Sequence, residues 1–156
     1  MDRAQASIRR AIPGDAPVVA ALVRAAYGKY VERLGRPPAP MTDDYAALIT
    51  AGDSWVLERD GLVVGVMILR SAAADHLLIS NIAIAPEHQG GGLGSRLLAH
   101  AEAQARERGL GEMRLFTNEL MHENIAIYQK RGWVEYDRAE QAGFHRVFMR
   151  KAVAAE

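Results

Sequence analysis

Four of the five residues from Gly90 to Gly94 are glycine, and they stand between two stretches of different periodicity. Before them, HLLISNIAIAP (His76–Pro86) is rich in β-branched residues and reads as a strand ended by Pro86. After them, Leu93, Leu97, Ala101 and Ala105 recur at helical spacing, and Gly109 suits the stop. Glycine weakens a helix or strand that contains it. A glycine run where a strand hands over to a helix therefore constrains the fold strongly. The first-turn N–H groups of a helix lack intrahelical acceptors and carry the positive end of its dipole. With no side chains in the way, such a turn is a site for an anion, and phosphate or pyrophosphate is the natural guest.

The residues discriminate among phosphate ligands. A nucleoside-triphosphate loop needs Gly-Lys followed by Ser or Thr, whereas here Gly94 is followed by Ser95 with no lysine. A dinucleotide fold sets its glycine turn in a parallel βαβ unit, with an acid at the end of the next strand. Ahead of this loop, SWVLERDGLVVGVMILR is two apolar runs split at Asp60-Gly61, a strong antiparallel hairpin signal. The strand after the helix, EMRLFTN (Glu112–Asn118), ends without a clean acid. Both alternatives fit poorly.

The other elements complete one sheet. SIRRAI (Ser7–Ile12) reads as a first strand. Val18, Leu22, Ala25 and Ala26 mark a helix that Asp15 would cap, and GRPPAP after it is a loop stiffened by proline. MTDDYAALITAG reads as a second helix, with Thr42 or Asp43 as cap and Gly52 as stop. NIAIYQKRG is a helix with Asn124 at its cap and Gly132 at its end. WVEYDRA and FHRVFMRKAV are closing strands joined around Gly143. The order β-α-α-β-β-β-α-β-α-β-β predicts an α+β fold, with a single mixed, mostly antiparallel sheet and helices on both faces. No linker or repeat divides it, so one domain over residues 1–156 is expected.

Composition narrows the chemistry. Nineteen basic and nineteen acidic residues cancel, so no overall field draws the chain to nucleic acid or an anionic membrane. There is no cysteine, which excludes disulfides, thiolate ligands and a cysteine nucleophile, and fits a reducing compartment. His76, His88, His100, His122 and His145 show no metal-ligand spacing and read as surface residues. MDRAQASIRRAIPGD lacks the apolar core of a signal peptide, and no apolar run is long enough to span a bilayer. A cytoplasmic protein is the expectation.

NIAIAPEHQGGGLGSRLL resembles the acyl-CoA loop of the GNAT family of N-acetyltransferases. The family signature is Gln or Arg, two residues, Gly, one residue, then Gly or Ala, and Gln89, Gly92 and Gly94 fill it. NIAIYQKRGW resembles the family's helix near the C-terminus, with Asn124, Tyr128 and Gly132 at its spacing and Trp133 following. The element order is similar as well, so the resemblance covers nearly the whole chain and implies the GNAT-like acyl-CoA N-acyltransferase fold. It implies acetyl-CoA as cosubstrate and no metal. The backbone of Gly90, Gly91, Gly92, Leu93 and Gly94, beside Gln89 and with the Ser95 hydroxyl, would hold the CoA pyrophosphate. The backbone of Ile82, Ala83 and Ile84 would pair with the pantetheine arm like an added strand. Asn124 would cap its helix and contact that arm.

Tyr128 would be the acid that protonates the departing thiolate. A phenol with an ordinary pKa near 10 is roughly matched to that leaving group. Many members carry a glutamate shortly before the NIAIAP-like segment, whereas this chain has Ser80 and Asn81, neither a base at neutral pH. Water threading along the strand, an acid such as Glu119 or Glu123, or an amine that arrives deprotonated are the remaining routes. The acceptor side would be YGKYVERLGRPPAPMTDDY and RAEQAGFHRV. There Tyr27, Tyr30, Arg33, Arg36 and Tyr45 mix aromatic and cationic groups suited to a small amine bearing a carboxylate. The implied function is acetyl transfer from acetyl-CoA to a primary amine of a small molecule or peptide, by direct attack in a ternary complex. A non-catalytic acyl-CoA-binding or sensing module on the same fold is the alternative. Neither nucleic acid nor membrane is an implied partner, and a homodimer is compatible with the fold.

Overall fold

The computed structural model describes residues 6–71 and 73–154. Residues 1–5, part of the stretch inspected above for a leader, lie outside the described residues. Among the described residues there are seven strands: β1 (Ala6–Arg10), β2 (Ser54–Arg59), β3 (Leu62–Arg70), β4 (Leu77–Ile84), β5 (Glu112–Asn118), β6 (Val134–Gln141) and β7 (Phe144–Ala152). They hydrogen-bond in the order β1-β2-β3-β4-β5-β7-β6. The β4–β5 pair is parallel, while β1–β2, β2–β3, β5–β7 and β6–β7 are antiparallel. This is the mixed sheet that the element order predicts. The chain divides into two units, Met1–Leu69 with Asn81–His100, and Arg70–Ser80 with Ala101–Glu156.

In the first unit, α1 (Ala16–Tyr27) and α3 (Tyr45–Thr50) pack with the strands around Val56, Val66, Ile68 and Ala83. The buried stripe of α1 is Val19, Leu22, Val23 and Ala26. Val18, predicted to face inward, is 41% exposed, and Ala25 is exposed too. The true stripe keeps the i, i+3, i+4, i+7 spacing one residue further on. Asp15 precedes α1 but does not cap it. Its carboxylate turns back to accept from the Ile12 N–H at 2.8 Å and to pair with Arg9 at 2.8 Å. Glu58 joins Arg9 from the other side at 2.9 Å.

Helical structure breaks at Gly28, the weakest helix former there, into a 3-10 turn (Gly28–Tyr30) and a short α2 (Val31–Leu34). The proline loop holds another 3-10 turn, Ala39–Thr42. Asp44 caps α3 by accepting the Ala47 N–H at 3.1 Å. Thr42 and Asp43, the predicted caps, lie too early, and the Thr42 hydroxyl instead donates to the Ala39 carbonyl at 3.1 Å. On β3, a Cβ at Gly65 would come within 2.9 Å of Ile84 Cδ1 and 3.3 Å of Leu57 Cβ. Glycine there lets β4 and β2 close on β3.

In the second unit, Met113, Leu115, Val147 and Met149 form the buried side of β5 and β7. Phe116 and Phe148 face each other across the pair, with ring centroids 5.9 Å apart. α4 (Leu93–Glu107) buries the predicted Leu93, Leu97, Ala101 and Ala105. α5 (His122–Lys130) starts earlier than predicted. The Asn118 side chain accepts the Leu120 N–H at 2.9 Å and turns the chain into the helix. Met121 is the N-cap residue, so Asn124 lies inside the first turn and is not the cap. No helix among the described residues is long and apolar enough to cross a membrane.

Candidate functional site

Along β4 burial alternates strictly, with Leu77, Ile79, Asn81 and Ala83 fully buried and Ile82 and Ile84 half-buried. Register with β5 runs from Leu77↔Met113 to Ile79↔Leu115, so Ile82–Ile84 lie beyond that ladder. Their carbonyls meet side chains instead. Ile82 accepts from the Tyr27 hydroxyl at 3.2 Å, and Ile84 accepts from Gln89 Nε2 at 3.0 Å. Gln89 thus ties the start of the glycine loop to the end of the strand.

The loop's glycines divide into two kinds. Gly90 and Gly92 each have φ near +84°, a left-handed conformation that costs an L-residue about 1–2 kcal/mol. Gly91 and Gly94 have no positive φ. A Cβ on Gly91 would come no nearer than 3.9 Å to its closest neighbour, and one on Gly94 would have nothing within 4 Å. Chain geometry requires the first pair and not the second. Leu93 buries its side chain in the core, so only its backbone faces the loop. Arg96 N–H bonds the Gly92 carbonyl at 3.2 Å, which places the amides of Gly92–Gly94 ahead of the helix's own ladder. A Cβ-free backbone with forward-pointing amides fits a bound anion.

The other predicted residues lie in the second unit. Tyr128 is half-buried, its ring edge-on to Trp133 at 6.0 Å and 65°. Trp133 is 3% exposed and donates its N–H to the Tyr128 carbonyl at 3.0 Å. The aromatic residue after the helix thereby fixes the tyrosine. Asn124 Nδ2 sits 3.7 Å from Met121 Sδ. On another face of α5, His122, Ile125, Ala126 and Gln129 line an open groove of about 460 Å³ with Glu119 and Arg138. Glu119 pairs with Arg138 at 3.6 Å, which ties up one of the two acids considered as a base.

On the predicted acceptor side, Tyr30 and Tyr45 are core residues, 3% and 4% exposed. The Lys29 ammonium and the Arg33 guanidinium each lie 5.2 Å from the Tyr30 ring. Tyr27 is half-buried. His100, expected at the surface, packs its ring at 4.3 Å from Trp55. What the sequence reading missed is the bonding of Asn81. Its Oδ1 lies 3.2 Å from the Tyr27 hydroxyl, and its Nδ2 donates to the Tyr45 hydroxyl at 2.8 Å. The only sequence signal is an asparagine at a buried position of an alternating strand. Among the described residues, no three His, Asp or Glu side chains cluster as metal ligands.

A parallel β4–β5 pair, a glycine turn and the antiparallel closing strands define an acyl-CoA N-acyltransferase fold. The N-acetyltransferase PaiA of Thermoplasma acidophilum, solved with coenzyme A, superposes with a TM-score of 0.79 at 18% identity, covering 94% of this chain and 98% of that one. The acetyltransferase (GNAT) family pattern matches residues 19–133. This chain belongs to that family. An uncharacterized N-acetyltransferase of Escherichia coli K12 is 30% identical over 140 residues, 85% of this chain and 84% of that protein. An amino-acid acetyltransferase of Neisseria meningitidis serogroup A is 36% identical over 111 residues, 70% of this chain. The chain spans only 23% of that protein's length.

Proposed function

We propose that the chain, acting as a single domain, is an N-acetyltransferase that moves the acetyl group of acetyl-CoA to a primary amine of a small molecule or peptide. The observation that carries this reading is the glycine turn between β4 and the N-terminus of α4, in which Gly91 and Gly94 are glycine without a backbone angle or a neighbouring atom that requires it. Gly94 in the first turn of α4 costs the helix about 1 kcal/mol relative to alanine. A ligand lying directly on that backbone explains the cost. Family membership and the coenzyme A bound to the Thermoplasma relative support the same ligand.

In this reading the amides of Gly90–Gly94, with Ser95, hold the pyrophosphate. The backbone of Ile82, Ala83 and Ile84 pairs with the pantetheine arm, Gln89 anchors the loop, and Asn124 meets the arm. The amine lone pair attacks the thioester carbonyl carbon and the C–S bond breaks. The thiolate takes the Tyr128 hydroxyl proton, the nitrogen releases its extra proton to water, and Tyr128 is reprotonated from solvent. The similarity to an amino-acid acetyltransferase favours an acceptor that is itself an amino acid.

The test is release of free CoA thiol from acetyl-CoA against a panel of amino acids, amino-acid amides and short peptides. Turnover with at least one amine is expected. A second reading, an acyl-CoA-binding module without catalysis, draws on Ser80 and Asn81, neither of them a base, on the strand where the family resemblance leads one to expect an acid. Saturable acetyl-CoA binding with no thiol release across the panel would select it.

A further inference from the structure

In the first unit, polar groups line up between β4 and the proline-rich loop. The Tyr27 hydroxyl lies 3.2 Å from both the Ile82 carbonyl and Asn81 Oδ1. Asn81 Nδ2 donates to the Tyr45 hydroxyl at 2.8 Å, and that hydroxyl donates to the Pro40 carbonyl at 2.5 Å. Asn81 is 6% exposed and Tyr45 4%, so each bond replaces water that cannot reach these groups. The direction of donation is fixed. The Asn81 amide occupies the Tyr45 oxygen as a donor, which leaves the single phenol proton for Pro40. Burial, followed by the nearby charge of Asp43, pushes the Tyr45 phenol up, so it stays protonated and keeps donating.

The chain of bonds joins segments far apart in sequence, 36 residues between Asn81 and Tyr45 and 54 between Asn81 and Tyr27. One end is the carbonyl edge that includes Ile82, and the other is Pro40. Pro37, Pro38 and Pro40 have no N–H to donate. The loop's own bonds include Met41 N–H to the Pro38 carbonyl at 3.0 Å and Thr42 to Ala39. The Tyr45 hydroxyl reaches it from outside.

We propose that Tyr27, Asn81 and Tyr45 are positioning residues that couple the cofactor edge of β4 to the proline-rich loop, so that filling the edge orders the loop. This inference rests on the reading of Ile82–Ile84 as the cofactor edge. A merely structural role would hold α1 and α3 in place and transmit nothing when the cofactor binds.

Backbone amide exchange on the full chain, with and without saturating acetyl-CoA, separates the two. In the wild type, acetyl-CoA should slow exchange across Gly90–Ser95 and also at Met41. In Tyr45→Phe the glycine loop should slow as before, while the slowing at Met41 falls by about tenfold or vanishes, the scale set by one lost hydrogen bond. Tyr27→Phe cuts the same path at its other end and serves if Tyr45→Phe does not fold. Unaltered slowing at Met41 in the folded variant overturns the proposal. So does a wild-type protein whose glycine loop slows while Met41 does not. No slowing at Gly90–Ser95 in the wild type overturns the cofactor reading itself, a different and recognisable result.

Discussion

The hairpin turn at Asp60-Gly61 and the loop at Gly90–Gly94 both use glycine, for different ends. In the turn, Asp60 at φ 53° and Gly61 at φ 82° give the twist that joins β2 to β3. Folding accounts for that glycine completely. In the loop, folding accounts for Gly90 and Gly92 and leaves Gly91 and Gly94 over. Gly14, Gly28 and Gly111 are equally free of positive φ and of close neighbours, so what sets Gly91 and Gly94 apart is their place in a glycine turn at the N-terminus of a helix, where an anion can be held.

Substitutions can break or sharpen this contrast. The largest effect is expected where chemistry follows binding. Tyr128→Phe should lower kcat by about a hundredfold or more, the scale of a lost general acid, with acetyl-CoA affinity nearly unchanged by calorimetry. Equal turnover would remove Tyr128 from the reaction. Gly92→Ala should do double harm, destabilising the fold by about 1–2 kcal/mol through its positive φ and weakening acetyl-CoA binding. Gly61→Ala should destabilise by about 1 kcal/mol and leave acetyl-CoA affinity untouched, the signature of a glycine that serves only folding. Gly94→Ala should do the reverse, raising stability by about 0.5–1 kcal/mol through helix propensity while weakening acetyl-CoA. Chemical denaturation paired with calorimetry on these three variants reads both axes.

A smaller effect lies outside the contrast. Hydrogen bonding from Arg9 holds the Asp15 carboxyl below its ordinary 3.8. Its folded value is depressed, so the contribution is complete above the unfolded pKa and fades as pH falls through the folded one. Asp15→Asn should cost about 1 kcal/mol at neutral pH, after allowance for screening at the partly exposed arginine. That difference should shrink in acid denaturation below about pH 4.

Much of the fold was legible because it rests on local patterns. The Asp60-Gly61 turn, the alternation of β4 and the Leu93–Ala105 stripe each declare themselves within a few residues. Two of the corrections come from competition for a cap, by partners elsewhere in the fold or by loop geometry. Asp15 looked like a cap, but Arg9 and Ile12 claim its carboxylate. Asn124 looked like a cap until Asn118 turned the chain earlier. Of the candidate site, the glycine turn ahead of α4 and the place of Tyr128 on α5 were readable from local spacing. The Asn81 network was not, since its bonds span 36 and 54 residues.

The central claim is that the loop backbone holds the acetyl-CoA pyrophosphate, and Gly94→Asp tests it most directly. Open space around Gly94 lets the fold accept the aspartate, so Tm should stay within a few degrees of the wild type. Its carboxylate would stand where a pyrophosphate needs positive surroundings, so calorimetric titration should find acetyl-CoA binding weakened by about a hundredfold or more. Wild-type affinity in a folded Gly94→Asp protein would contradict the account.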